Sequence, residues 1–493
     1  MWLPKLIPSL FLCLSGLFAQ SAENVRVHGI ADLSHEFSFY ADGRFRSQYL
    51  PDQVVLSNWG NLYDLDTENI NLIALLGCDG NVRYNARDVA FLKKFLRQGG
   101  CVLIAGNAGT KGQNLLLSEF GARFEGKAVP PFFLTSAVGG SSAVAGNNVS
   151  VLVLKPGGKW ETLVQDSAQA TVMARRKEGK GTLIAVARNL LGNNPDGKDA
   201  LNREWVTPVL KEAASGKEVS GEKPLPAVGS TRMGNSKVVD GVTFHYSDYL
   251  APYFQDMIKI EAQCRPAMEK RLGVPLSQGM GNQVGLLATG GGGFSAGGYV
   301  GLAVFWENFP KEKKGMIEFL CHEFTHSWVL PHPEVWNEPI ATYVGDVVMG
   351  DLGYPEEGKR RIENTIRRAS TLDPDMTVYD IYGNTERPGA VRLDGGRKNE
   401  IHWGKSFWVF EQLRGMDPEF LSKYFRAKRK YVPARMDHRY NMDDTVAVIS
   451  IALGKDMFPW FNEHGMPVDR EKTPFSRHIP VSYTHLTLPT TSR

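Results

Sequence analysis

Two histidines and a glutamate occur at a spacing that suits a metal-dependent hydrolase. His322, Glu323 and His326 form an H-E-x-x-H motif inside a stretch with helical periodicity. Residues four apart lie on one face of a helix, so both imidazoles can reach one Zn²⁺ ion. Glu323 then lies beside the ion, where it can activate a zinc-bound water. Because so short a motif also arises by chance, a third ligand is needed to support a metal site.

Glu338 is the candidate third ligand, 12 residues after His326. It belongs to the sequence N-E-P-I-A-T-Y, which runs from a turn into a stretch with helical periodicity. Pro339 is tolerated in a first helical turn, where the amide hydrogen has no partner to lose. Two histidines and one glutamate leave the fourth position of a tetrahedral zinc ion to water. We therefore expect His322, His326 and Glu338 to bind one Zn²⁺ ion.

Thr342 and Asp346 are candidates for the groups that orient the ligands. They follow Glu338 by four and eight residues and share its helix face. A hydroxyl or carboxylate there can accept the second N–H of a ligand histidine and fix its tautomer. A position on the helix surface is an equally good interpretation for Asp346.

The segment 322–346 resembles the gluzincin metallopeptidases, in which H-E-x-x-H is followed by N-E-x-x-A/T. The resemblance extends over about 242–468 and includes the aminopeptidase-N and leukotriene-hydrolase-like core and the enhancin-type mucin-targeting peptidases. It implies a zincin fold, zinc bound by His322, His326 and Glu338, and Glu323 as the base. The segment between His326 and Glu338 is shorter than in the aminopeptidase-N pattern, whereas enhancin-type enzymes tolerate variable spacing.

Two further features of the family are incomplete here. Its aminopeptidases bind the substrate amine through G-x-M-E-N, and this chain has only Glu307 in V-F-W-E-N, which favours endopeptidase activity. The family also supplies a tyrosine that stabilises the oxyanion, and the corresponding stretch here contains His402 instead. A histidine can fill that role. Tyr379 and Tyr382 are alternatives, and His402 as an ordinary core or surface residue stays open.

The elements that must position these residues lie in the second half of the chain. The pattern predicts strands at 241–246, 283–288 and 299–306, and a long helix at 251–272, before mostly helical sequence. We expect the 299–306 strand to pair with an extended substrate as an edge strand. The glycine-rich stretch 290–298 is predicted to be a turn or a mobile segment above the cleft. This half is therefore predicted to be α+β with a largely helical C-terminal lobe.

The first half of the chain alternates strands and helices, which predicts an α/β domain with a mostly parallel sheet. A helix is predicted at 86–97, ending at two glycines. The predicted strands are 53–56, 71–76, 102–105, 150–154 and 182–187. On segments 92–104 and 175–186 this half resembles non-catalytic members of the glutamine-amidotransferase-like fold. Cys78 lacks the G-x-C-x-G arrangement of the family's nucleophile, so we do not expect it to be catalytic.

The ends and the junction complete the organisation. Residues 1–22 read as a secretory signal peptide, which predicts a secreted or periplasmic protein. The amidotransferase-like domain then covers 23–214, a linker covers 215–239, and the metallopeptidase domain covers 240–480. Residues 481–493 begin with VSYTHL, which resembles a translated sequencing adapter, and we exclude them as an artefact.

The composition limits the partners. A net charge of +3, without a basic stripe, gives no indication of nucleic-acid binding. No segment after the signal peptide is long and apolar enough to span a membrane.

Taken together, the motifs and the signal peptide predict a secreted zinc endopeptidase that acts on proteins or glycoproteins. The alternatives are an inactive peptidase-like protein that binds a glycan or protein, an aminopeptidase, or a zinc hydrolase of non-peptide substrates.

Overall fold

A computed structural model describes most of the chain. The described residues are 25–32, 45, 48–50, 55–58, 60–76, 84–139, 142–143, 145, 148–191, 202–220, 234–276, 282–287, 293–296, 299–303 and 313–480. The predicted signal peptide, Cys78, Glu307, linker residues 221–233 and the 481–493 tail lie outside them.

The first half of the chain forms, among its described residues, an eight-stranded sheet and a separate pair of strands. The strands are β1 (Gly29–Asp32), β2 (Val55–Asn58), β3 (Leu72–Leu75), β4 (Cys101–Gly106), β5 (Ala122–Glu125), β6 (Phe132–Leu134), β7 (Val151–Leu154), β8 (Trp160–Asp166), β9 (Thr171–Glu178) and β10 (Gly181–Ala187). The sheet order is β2-β1-β3-β4-β10-β9-β8-β6, and β5 pairs with β7.

This sheet is mixed, so the predicted parallel arrangement holds for only part of it. Strands β2, β1, β3, β4 and β10 run parallel, but β9, β8 and β6 continue the sheet in antiparallel pairing. Strands β9 and β10 form a hairpin whose turn contains Gly179, with φ of +63°. Arg175 in β9 obscured the strand pattern, because it pairs with Glu161 on the neighbouring β8 instead of contributing an apolar side chain.

Helices cover both faces of the sheet. Within the described part of this half, the helices with complete bounds are α1 (Ala86–Arg97), α2 (Lys111–Ser118) and α3 (Arg203–Ala214). Helix α1 packs Leu92, Phe95 and Leu96 into the core on one face. Helix α3 packs Val206 and Leu210 into the core on the other. The bounds of α1 match the predicted helix, because its capping box at Asn85 and the glycines after it are local signals.

The second half begins with a five-stranded sheet of order β11-β12-β13-β15-β14. Its strands are β11 (Asn235–Val239), β12 (Val242–Tyr246), β13 (Gln283–Leu287), β14 (Gly293–Ala296) and β15 (Tyr299–Ala303). Two predictions were wrong here. Part of the glycine-rich stretch forms β14, and β15 lies inside the sheet between β13 and β14. Among the described strands, β14 is therefore the edge strand beside β15, and β11 is the edge strand on the other side of the sheet. Residues 304–306 of the predicted strand lie outside the described residues.

Helices make up the rest of the second half. They are α4 (Ala251–Leu272), α5 (Lys313–Trp328), α6 (Asn337–Asp351), α7 (Pro355–Ser370), α8 (Gly395–Met416), α9 (Phe420–Tyr431), α10 (Met442–Leu453) and α11 (Phe458–Glu463). Helices α5 and α6 cross closely at Gly345, where a β-carbon would lie 2.7 Å from the Glu318 carbonyl oxygen. An α/β first half followed by a largely helical C-terminal part agrees with the predicted fold class in general terms. In the described part of the chain, we find no helix with the length and apolarity of a membrane span.

Candidate metal centre

Helix α5 carries both histidines of the H-E-x-x-H motif on one face. Most of the helix is buried between the second sheet and α6, with Leu320, Phe324 and Trp328 fully inside the core. The four-residue spacing brings the two Nε2 atoms of His322 and His326 to 3.2 Å from each other. Two ring nitrogens this close need a proton or a cation between them, since their lone pairs repel. The predicted pair is therefore arranged to share one proton or to bind one cation.

Glu338 brings a carboxylate to the same point from the first turn of α6. Its Oε2 lies 3.3 Å from Nε2 of His322, and its Oε1 lies 3.6 Å from Nε2 of His326. Donor atoms that coordinate a tetrahedral zinc ion at 2.0–2.1 Å are about 3.3 Å apart. The three separations are close to that value, so the residues fit a small divalent cation without a backbone change.

The outer nitrogens of both histidines have hydrogen-bonding partners on α6. Nδ1 of His322 lies 2.9 Å from Oγ1 of Thr342, and Nδ1 of His326 lies 3.2 Å from Oδ1 of Asn337. These contacts orient each ring with Nε2 towards Glu338. Thr342 was predicted for this role. Asn337 was not, although its place directly before Glu338 in the N-E sequence was a usable signal.

Glu323 is the second carboxylate beside the histidines. Its side chain is buried, and one of its oxygens lies within 4.8 Å of one ring nitrogen each of His322 and His326. These three residues form a group that could hold a metal ion. Burial raises the pKa of Glu323 to about 7, although His322 opposes this shift. A carboxyl group with such a pKa can exchange protons near neutral pH.

Strand β14 contacts the Glu323 carboxylate directly. A β-carbon placed on Gly293 would lie 2.7 Å from Oε1 of Glu323 and 2.7 Å from the Gly301 carbonyl oxygen. Ser295, two residues along the strand, lies with its Oγ 2.9 Å from Oγ of Ser327 on α5. The edge strand is thus fixed against the helix that carries the two histidines.

Burial and neighbouring charges together set the pKa values of the three proposed ligands. Burial lowers the pKa of His322, but the carboxylates of Glu338 and Glu323 outweigh it and raise the pKa overall. Burial, together with the charge of His322, lowers the pKa of His326. The hydrogen bond from His322 lowers the pKa of Glu338. These three side chains can therefore hold either one shared proton or one metal cation between them.

Asp346 does not orient a histidine, which corrects one predicted role. It is 2% exposed, so it is not a surface residue either. Its Oδ1 lies 3.7 Å from Nη1 of Arg361, which also donates to Oε2 of Glu318 at 3.2 Å. Burial raises the pKa of Asp346 to about 8. Helical geometry placed Asp346 on the correct face, but it lies one turn beyond the reach of His322.

A cleft of about 360 Å³ opens over these residues. The cleft is lined by Gly293, Ser295, His322, Glu323, His326, Val329, Leu330, Pro333, Asn337 and Glu338. One wall is the edge strand β14, and the opposite wall is the apolar connection between α5 and α6. The cleft therefore places both carboxylates and both imidazoles between strand β14 and an apolar surface.

The three predicted oxyanion donors are absent from the described lining of the cleft. Nδ1 of His402 lies 2.8 Å from the Ile381 carbonyl oxygen, and its ring stacks on Tyr382. The Tyr382 hydroxyl donates to the Val335 carbonyl oxygen at 3.2 Å, just outside the cleft. The buried hydroxyl of Tyr379 donates to the Val391 carbonyl oxygen at 2.8 Å. Tyr379 therefore has a structural role, while His402 and Tyr382 form one stacked pair beyond the apolar wall.

Comparisons with known proteins add little. No protein-family model matches the chain, and no curated protein matches it. Among solved structures, the mmIFT52 N-terminal domain is 13% identical with a TM-score of 0.30, covering 40% of this chain and all of that one. The exo-β-1,4-mannosidase Op5Man5 from Opitutaceae bacterium strain TAV5 is 15% identical with a TM-score of 0.28, covering 42% of this chain and 39% of its own. Similarity this low supports no conclusion on fold or function.

Proposed function

We propose that the chain is a zinc-dependent endopeptidase of the gluzincin type, with a zincin fold in its second half. One observation carries this proposal. Donor atoms of His322, His326 and Glu338 converge at separations of 3.2–3.6 Å from two different helices. In the same site, a buried fourth group, Glu323, faces the edge strand. Chance placement of an H-E-x-x-H sequence on a structural helix would not bring in the third donor.

Zinc is the cation that this donor set suits best. Two imidazole nitrogens and one carboxylate form a tetrahedral site with one position left open. When bound there, zinc would polarise a carbonyl group and make water more acidic. Magnesium and calcium prefer sites built from oxygen ligands, whereas two of the three proposed donors here are nitrogen atoms. The donors therefore favour zinc over these two ions.

Glu323 is the proposed proton carrier. Its carboxylate lies beside the histidines but is not one of the three converging donors. A nearby cation favours the ionised form, which is the form that can accept a proton from water. The same group can then return that proton to the leaving amine of the cleaved bond. Its burial beneath Gly293 limits the positions that its oxygens can take.

Strand β14 is the proposed substrate-binding edge. An unpaired strand edge offers backbone donors and acceptors to an extended peptide. This strand lies beside Glu323 through Gly293, so a peptide added there would pass over the metal centre. The apolar wall of Val329, Leu330 and Pro333 would then contact a side chain of that peptide. Binding along a strand edge needs no free terminus of the peptide.

The charges in the cleft favour internal cleavage over aminopeptidase activity. Among the described lining residues, the carboxylates are those of Glu323 and Glu338, and both have other proposed roles. No further carboxylate is therefore present in this described lining to bind a substrate amine. We further propose that the protein is exported, as the sequence of residues 1–22 predicts, and that its substrate is a protein or glycoprotein.

The function can be tested with purified protein and casein as an unspecific substrate. The expected result is about one zinc ion per chain, cleavage of casein within the sequence, loss of cleavage after chelation, and recovery with added zinc. Fragments would be sequenced to separate internal cleavage from stepwise removal of N-terminal residues. A metal-free protein that binds no added zinc would disprove the proposal.

A further inference from the structure

The connection between the two ligand-bearing helices forms one wall of the cleft. We call residues 329–336 the lip. It begins directly after the last residue of α5 and ends directly before the first residue of α6. It therefore connects the helix that carries His326 to the helix that carries Glu338. Val329, Leu330 and Pro333 of the lip line the cleft. The position of the lip therefore affects both the width of the cleft and the start of the helix that carries Glu338.

Lys428 on α9 makes three contacts with the lip from inside the protein. Its side chain is fully buried. Its Nζ donates to the carbonyl oxygens of Val329 at 2.5 Å and of His332 at 2.5 Å. It also donates to Oε1 of Glu334 at 2.6 Å, and the Glu334 side chain is fully buried too. An ammonium group has three protons, so all three are directed at the lip.

Other groups near Lys428 support the same contact. The Tyr424 hydroxyl, one turn earlier on α9, donates to Oε2 of Glu334 at 2.7 Å. Nε2 of His332 lies 2.8 Å from the Pro433 carbonyl oxygen. The Lys428 ammonium also lies 4.7 Å from the centre of the Tyr440 ring. The lip is thus fixed by side chains that come about 90–110 residues later in the chain.

We propose that Lys428 is a positioning residue that fixes the lip and, through it, the third metal ligand. Glu334 and Glu338 are only four residues apart. Between them, Trp336 is fully buried against Phe410, with ring centres 5.0 Å apart. A shift of the lip therefore moves the first turn of α6. This inference rests on the proposed metal site, but the fixed lip itself does not depend on it.

The energetics of buried ion pairs support a geometric role. Removing two charges from water costs free energy that their attraction does not always recover, so an apolar pair is often at least as stable. Buried ionic groups are best attested where they select one arrangement over another. Here the ammonium satisfies two carbonyl oxygens of a loop that has no strand or helix partner for them. An apolar side chain at position 428 would leave both of these oxygens without a donor.

The test compares two sets of variants. Lys428→Met combined with Glu334→Gln removes the ammonium without leaving a buried charge unpaired. Lys405→Met combined with Asp373→Asn is the matched control, because Lys405 is also fully buried beside a buried carboxylate, that of Asp373, and donates to the carbonyl oxygens of Tyr379 and His464, away from the lip. Tyr424→Phe is a milder second variant, in case the double variant does not fold.

Two measurements keep the inference separate from the proposed function. Amide hydrogen exchange of the zinc-free proteins should be at least about 10-fold faster across 329–338 in the double variant, and modestly faster in Tyr424→Phe. The control with Lys405→Met and Asp373→Asn should match wild type there. Zinc affinity, from competition with a chromophoric chelator, should fall about 10–100-fold in the double variant, the range for groups that orient ligands.

Each outcome decides a different claim. Faster exchange in the lip with unchanged zinc affinity would overturn the positioning role, and so would unchanged exchange in the lip. A wild-type protein that binds no zinc would disprove the proposed function, while the exchange result would still show whether Lys428 fixes the lip.

Discussion

Thr342→Val should weaken zinc binding while leaving the ligands in place. In the structure, Oγ1 of Thr342 lies 2.9 Å from Nδ1 of His322. When Nδ1 carries the proton and donates it to this oxygen, the lone pair of Nε2 faces Glu338 and His326. Valine keeps the shape and the branching of threonine but cannot accept the hydrogen bond. The imidazole is then free to rotate or to change its tautomer.

The expected size of the effect follows from the burial of this contact. A neutral hydrogen bond contributes about 0.5–1.5 kcal/mol. The side chain of His322 is only 15% exposed, so water can replace the lost partner only in part. The loss should therefore lie near the upper end of that range, and about 1.4 kcal/mol corresponds to a tenfold change in affinity. We expect zinc to bind about 10-fold more weakly, the lower end of the range for such partners.

Competition titration against a chromophoric chelator measures this change directly. Thr342→Ser is the matched control, because it keeps a hydroxyl group at the same position and should bind zinc nearly as tightly as wild type. Circular dichroism would verify that α6 is intact in both variants. An affinity for Thr342→Val within twofold of wild type would show that the contact does not orient His322. The same conclusion would follow if the serine variant were as weak as the valine variant.

Three further predictions concern the strand edge, a buried lysine and the substrate. Gly293→Ala should keep zinc but lower kcat by up to about 100-fold, because the added carbon displaces Glu323 or β14. Gly315→Ala on α5 is the control: its added carbon meets open space, so it should have no effect in the same assay. Burial lowers the pKa of Lys405 to about 8, so the unfolded chain binds more protons between pH 8 and 10.5, and stability rises with pH in that window by up to about 3 kcal/mol. The free energy of unfolding, measured with denaturant across this pH range, should show this rise in wild type but not in Lys405→Met. Curves of the same slope for the two proteins would refute the prediction. Acetylation of the N-terminus of a peptide substrate should leave cleavage unchanged, whereas complete loss of cleavage would indicate an aminopeptidase.

Sequence reasoning was most successful where the determining contacts are local. The bounds of α1 and α4 and the shared face of His322 and His326 follow from helical periodicity and from capping or terminating residues close in sequence. The position of Thr342 on the same face of α6 as Glu338 also follows from the four-residue spacing, and in the structure Thr342 contacts His322. The place of Glu338 in the first turn of α6 was predicted for the same reason.

Features that depend on distant segments were missed or misplaced. Strand β14 was predicted to be a turn, because its glycines hide a strand that pairs with β15. The antiparallel half of the first sheet was missed, because Arg175 pairs across strands where an apolar residue was expected. The contacts of Lys428 with the lip join residues about 95–100 positions apart, and no local pattern indicates them. Asp346 was assigned by face alone, which does not set the distance to a side chain on another helix.

The most direct test of the central claim separates the base from the ligands. Glu323→Gln keeps the volume of the side chain and all three proposed ligands, whereas His326→Ala removes one ligand. Zinc content and casein cleavage would be measured for both variants and for wild type in the same preparations. We predict that Glu323→Gln retains about one zinc ion per chain but loses at least 10²–10⁴-fold in turnover, the contribution typical of a general base. We predict that His326→Ala loses zinc and cleavage together. Near-normal cleavage by Glu323→Gln, or full zinc content in His326→Ala, would contradict the proposed mechanism.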